Sequence, residues 1–137
     1  MNRSVTCFLV DDDADDQEIF ESALKEIDPA IRCIMANDGT EALLKLNSDK
    51  TFAPDFIFLD LNMPGINGKQ CLAEIKKDSR FKTTPVIIYS TTVSERDMEE
   101  INHLGAMTFF TKPSRFSELC TTLSGILGQK VTVTKKL

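Results

Sequence analysis

Five times along this chain a short, β-prone apolar run is followed by a stretch whose apolar residues recur at helical spacing. The runs cover residues 5–10, 31–36, 56–59, 86–89 and 106–110. The helical stretches cover 15–27, 40–46, 69–77, 95–104 and 114–127. In the first of them Ile19, Phe20, Ala23, Leu24 and Ile27 form one apolar stripe. Breakers fall where the pattern changes: Asp28 precedes a proline, Gly105 follows the fourth helix, and Ser114 and Gly128 bracket the fifth. Strict alternation of strand and helix implies a parallel sheet with helices on both faces. Strands covered on both faces read as continuous apolar runs, as these do. The expected fold is α/β: a doubly wound, five-stranded parallel sheet forming one domain over 1–128. Residues 129–137 are expected to be a fraying basic tail, with a short added strand over the Val-Thr-Val-Thr segment as the other option.

The chain has 137 residues and a formal net charge of -5, with 21 acidic against 16 basic side chains. That balance argues against sequence-independent binding to nucleic acid, which needs a basic surface. Cys7, Cys33, Cys71 and Cys120 form no CxxC pair, and His103 is the single histidine, which excludes the usual zinc spacings. The cysteines read as small buried hydrophobes in a reducing compartment. No run of 18 apolar residues and no signal-peptide core is present, so a cytoplasmic protein without membrane association is expected.

In open α/β sheets ligands bind at the carboxyl ends of the strands. Strand one ends in Asp11, Asp12 and Asp13, strand three in Asp60, strand four in Ser90 and Thr91, and strand five in Lys112. Loops are polar in general, but that does not account for carboxylates, a hydroxyl and an ammonium meeting on one rim. Clustered carboxylates raise one another's pKa unless a cation intervenes. Mg²⁺, a hard ion that takes oxygen ligands and keeps sites for phosphate oxygens, suits such a cluster. Lys112 adds a point charge and Ser90 a donor, so the set can place a phosphoryl group on a carboxylate.

The segments FLVDDDADD, FLDLNMPGINGKQ, PVIIYST and GAMTFFTKP, in this order and spacing, resemble the receiver domain of response regulators, the CheY-like superfamily. The resemblance covers about residues 6–127, and its strongest block runs from Leu59 through Asp60, Asn62, Met63, Pro64 and Gly65 to Gly68. It implies a flavodoxin-like (βα)5 fold and Mg²⁺-dependent phosphorylation of Asp60. It also implies that Asp12 binds the metal directly, that Asp11 helps through water, and that Asn62 offers its backbone carbonyl. Ser90 would bond the phosphoryl group and move with it, Lys112 would pair with it, and Phe109 would be the aromatic that turns inward on activation. Pro113 would follow a cis peptide bond. Asp13 is given no required role, and Asp15 and Asp16 read as first-turn acids that favour the helix dipole. The implied partners are a histidine kinase or histidine phosphotransfer protein and a downstream protein target, with no enzyme activity beyond the switch. A homodimer through the helix 4–strand 5–helix 5 face is a further expectation. Ten residues follow position 127, so no output domain is expected. The stretch 78–84 also resembles stand-alone regulators paired with bacterial phytochrome-type kinases.

Two rivals belong to other classes. A haloacid dehalogenase-like phosphatase would use Asp11 as nucleophile in a D-x-D pattern, leaving Asp60 and its loop unexplained. A receiver used only as a binding module would lack one of the acids or the lysine, and all are present.

Overall fold

The computed structural model describes residues 4–135, with side chains described for 4–128. Five strands alternate with five helices: β1 (Thr6–Val10), α1 (Ala14–Ile27), β2 (Arg32–Ala36), α2 (Gly39–Ser48), β3 (Phe56–Leu59), α3 (Gly68–Lys77), β4 (Val86–Ser90), α4 (Glu95–His103), β5 (Thr108–Thr111) and α5 (Phe116–Lys135). A single 3-10 turn, Ser79–Phe81, lies between α3 and β4. All strand pairings are parallel, in the order β2-β1-β3-β4-β5. The chain therefore reverses direction across the sheet between β1 and β3, and a crevice opens above their carboxyl ends.

Side chains alternate across each strand, so one strand feeds two cores. Phe8, Val10, Ile57, Leu59 and Ile88 pack with Ala42, Leu46, Leu72, Ile75 and Ile101 on the face covered by α2, α3 and α4. Cys7, Leu9, Phe58, Ile87 and Tyr89 pack with Phe20, Leu24, Leu119 and Leu123 under α1 and α5. Burying a side chain of this size contributes about 1.5–3 kcal/mol, so the sheet is a stiff base for the loops above it. All four cysteines are free thiols; Cys7 and Cys71 are buried and Cys33 and Cys120 partly so. Burial pushes the Cys33 and Cys71 thiols up to about 12, which makes them poor nucleophiles.

Helix starts are fixed by side-chain caps. Asp13 accepts from the Asp16 amide, Asp38 from Glu41, and Asn67 and Ser94 form reciprocal capping boxes with Gln70 and Asp97. Asp13, given no role from the sequence, is thus the N-cap of α1. The last helix departs from expectation. It does not close at Gly128, and the backbone of 129–135 continues α5 to Lys135 rather than fraying or adding a strand. A glycine inside a helix costs about 0.5–1 kcal/mol relative to alanine. Each further residue of a nucleated helix still gains a hydrogen bond. Residues 136 and 137 of the expected tail lie outside the described residues.

Candidate functional site

Four strand ends meet in the crevice. Asp11 follows β1, Asp60 follows β3, Ser90 ends β4 and Lys112 follows β5. Asp11 is fully buried, Asp60 is 5% exposed and Ser90 is fully buried. Buried polar groups need partners, and Asp60 finds them on both oxygens. The Ser90 hydroxyl donates to its Oδ1 at 2.8 Å and the Asn62 amide to the same atom at 3.0 Å. Lys112 Nζ donates to its Oδ2 at 3.0 Å.

The loop behind Asp60 explains the densest motif in the sequence. Met63 is anchored in the core. Gly65 adopts φ +74, a conformation that favours glycine. Gly68 begins α3 so close to the acceptor loop that a Cβ there would lie 2.3 Å from the Asp60 carbonyl oxygen and 2.6 Å from Leu61 Cα. The Gly68 amide donates to the Leu61 carbonyl at 2.9 Å, locking helix to loop. The glycines hold the backbone that aims Asp60.

Asp11 is fixed by the Asp13 amide, which donates to its Oδ1 at 3.0 Å. Its Oδ2 lies 2.9 Å from Lys112 Nζ as an ion pair, yet the angle leaves this buried oxygen without a hydrogen-bond partner. Burial is the main cause that raises the Asp11 pKa above the ordinary carboxylate value, and the nearby ammonium only partly offsets it. Asp12 is exposed, but it offers a carboxylate oxygen within 4.8 Å of oxygens from both Asp11 and Asp60. Three clustered carboxylates, one carrying a hydrogen-bond-deficient buried oxygen, fit a hard divalent cation. Gln17 braces this loop from α1, donating to the Asp11 carbonyl at 2.6 Å and to Asn37 Oδ1 at 2.9 Å.

Lys112 is the hub. Burial alone would lower its pKa, but contacts with Asp16, Asp11 and Asp60 outweigh that and raise it well above its ordinary value. Its Nζ also sits 5.2 Å from the centre of the Tyr89 ring. Two of these neighbours were not read from the sequence. Asp16, which the sequence marks only as a first-turn helix acid, accepts from Lys112 on its Oδ2 at 2.8 Å. Tyr89, which the sequence marks only as a strand residue, supplies the ring. Asn62 also points its side-chain amide at Ser90 Oγ, at a long 3.5 Å. Phe109 is half-buried beside the core of α2, α3 and α4 and lines a cavity of 340 Å³ between α4 and β5.

One expectation is corrected. There is no cis peptide bond among the described residues, so Pro113 follows a trans bond. Trans is the intrinsic preference by about 0.5–1 kcal/mol, and Lys112 reaches Asp60 in that geometry.

A profile of the response regulator receiver domain matches residues 7–124. The chain belongs to the response regulator receiver family. It is 30% identical over 129 residues to the response regulator Rcp1 of Synechocystis sp., covering 91% of this chain and 88% of that protein. Among solved structures, the phosphorylated cyanobacterial phytochrome response regulator RcpA superposes with a TM-score of 0.84 at 32% identity, covering 92% of this chain and 93% of that one. The Mn²⁺-bound form of Rcp1 superposes with a TM-score of 0.76 at 29% identity, covering 90% and 92%. The chain is thus a two-component signalling protein of CheY-like fold, similar to the phytochrome-associated regulators. Receiver domains of this kind work with histidine kinases and downstream targets and bind a divalent cation at an acidic site. The family match leaves the dehalogenase-like reading without support. No helix among the described residues is long and apolar enough to cross a membrane.

Proposed function

We propose that Asp60 accepts a phosphoryl group from a histidine kinase or histidine phosphotransfer protein. The observation that carries this reading is the grip on its carboxylate: hydroxyl and amide on one oxygen, ammonium on the other, with Asp11 and Asp12 alongside. Mg²⁺, held by Asp11, Asp12, Asp60 and the Asn62 backbone carbonyl, would neutralise charge on the phosphoryl oxygens. The Asp60 carboxylate attacks phosphorus in line and the donor imidazole leaves. Lys112 supplies an ammonium to the oxygens, and Ser90 turns its hydroxyl from Asp60 toward them. Phe109, half-buried beside α4, then moves inward and changes the surface of α4, β5 and α5.

That surface is proposed to meet the downstream target or a second copy of the chain. β5 is an edge strand, and Met107 just before it is 41% exposed. The phosphodonor is proposed to dock at the acidic rim, where Ile19 on α1 and Phe116 on α5 are each 45% exposed. Residues 1–128 are the proposed switch unit, acting in the cytoplasm, with no catalytic role beyond its own phosphorylation and dephosphorylation and no direct contact with nucleic acid.

The test is intact-protein mass spectrometry after incubation with acetyl phosphate. The expected result is one added phosphoryl group that requires Mg²⁺ and disappears with chelator. A folded, Mg²⁺-binding sample that takes no phosphoryl group from acetyl phosphate or from a phosphorylated histidine phosphotransfer protein would leave only a binding module.

A further inference from the structure

Lys112 has more anionic neighbours than its task requires. An ammonium offers three donors. Here it donates to Asp16 at 2.8 Å and to Asp60 at 3.0 Å, and it lies 2.9 Å from Asp11 as an ion pair. Asp11 and Asp60 sit at the ends of sheet strands, are buried, and are held by backbone amides. Asp16 differs on each count. It lies in the first turn of α1, its side chain is 30% exposed, and Lys112 is the hydrogen-bond donor to its carboxylate.

An arriving phosphoryl group brings oxygens that need the ammonium. Lys112 lies within 3.0 Å of three carboxylates, so turning the ammonium toward those oxygens loosens its hold on a carboxylate. Asp16 is the partner that can be released cheaply, because its carboxylate can turn to water while Asp11 and Asp60 cannot. Until then Asp16 holds a share of the ammonium and places a negative charge at the mouth of the site. The Tyr89 ring, 5.2 Å from Nζ, together with Asp11 and Asp60, keeps Lys112 in place when Asp16 is absent.

We propose that Asp16 is a positioning residue that draws Lys112 toward α1 and restrains phosphoryl uptake at Asp60. This rests on the reading of Asp60 as acceptor. Asp16 lies outside the carboxylate cluster suited to a cation, so its effect does not depend on metal ligation.

The experiment follows uptake from acetyl phosphate at fixed Mg²⁺ by intact mass, for wild type, Asp16→Asn, Asp16→Glu and Asp15→Asn. Asp15 is exposed in the same turn and serves as the charge control. The expected rate rises roughly threefold or more in Asp16→Asn, as removing a charge at a binding rim does. Asp15→Asn should match wild type, and Asp16→Glu should return toward it. A second readout is affinity for beryllofluoride, a phosphoryl mimic, followed through the fluorescence of Tyr89, the single tyrosine; it should tighten in Asp16→Asn alone. An unchanged or slower rate in a folded Asp16→Asn protein overturns the proposal and leaves Asp16 as a staple between α1 and the β5 loop. An equal rise in Asp15→Asn overturns it in favour of net charge. If wild type binds Mg²⁺ but takes up no phosphoryl group from acetyl phosphate or from a phosphorylated histidine phosphotransfer protein, the acceptor reading itself fails, and this inference with it.

Discussion

Two aspartates flank β3, one at each end of the same four-residue strand. Asp55 precedes it and Asp60 follows it, and each is 5% exposed. At the amino end the Asp55 Oδ2 accepts from the Thr6 amide at 2.8 Å, tying the start of β1 to the start of β3. At the carboxyl end Asp60 meets a hydroxyl, an ammonium and two further carboxylates. Burial is equal, so burial does not separate structure from chemistry here. The neighbours do. Both carboxylates accept from a backbone amide, but at Asp60 the hydroxyl, the ammonium and the cation-fitting cluster can follow charge onto a phosphoryl group.

The sharpest way to break that contrast is to remove the hub. Lys112→Ala leaves buried carboxylates facing one another, and losing one partner of a buried ion pair costs about 3–5 kcal/mol. Chemical denaturation without metal should show a loss of that order, partly restored by Mg²⁺, with phosphoryl uptake nearly abolished. If stability is unchanged, the site is more solvated than its geometry implies. The next effect is steric. Gly68→Ala forces a methyl against the backbone of Asp60 and Leu61, and overpacking of this kind costs about 1–3 kcal/mol. Its uptake rate should fall further than its stability alone explains.

A smaller effect tests the charge state of Asp11. Its raised pKa means the native state holds that proton more tightly than the unfolded chain. Stability from this group is therefore present at low pH and declines as pH rises from the ordinary carboxylate value through the raised one. In metal-free buffer above that window, Asp11→Asn should melt slightly higher than wild type, while Mg²⁺ affinity measured by calorimetry drops. A lower melting temperature would contradict the desolvation account. The smallest effect lies away from the rim. Lys69, between α3 and α4, pairs with Asp97 and Glu100 and holds Asp97 down at about 2. The folded-state pKa is depressed, so this stabilisation is present above the ordinary value and is lost as pH falls toward about 2. Solvent-screened pairs contribute little to stability, so Lys69→Gln should change the acid-unfolding curve only slightly and leave uptake intact.

The alternation of runs and stripes was enough to read five strands, five helices and the rim that carries Asp11, Asp60, Ser90 and Lys112, because each signal is local. What escaped was tertiary or energetic. Asp16 and Lys112 lie 96 positions apart, and nothing near either one advertises the pair. Tyr89 sits in an apolar run that gives no hint of the ammonium beside its ring. The helical continuation to Lys135 was hidden by a glycine and two β-branched pairs, where propensity is a weak guide. The trans bond at Pro113 went against an expectation taken from family resemblance rather than from the residues.

The central claim is that chemistry belongs to Asp60 and structure to Asp55. The most direct test is to phosphorylate the protein, reduce the acyl phosphate with borohydride, and map the resulting homoserine by peptide mass spectrometry. The account predicts homoserine at position 60 and unmodified aspartate at 11, 12 and 55. Label at position 11, 12 or 55 would contradict it, and so would label that persists in Asp60→Asn.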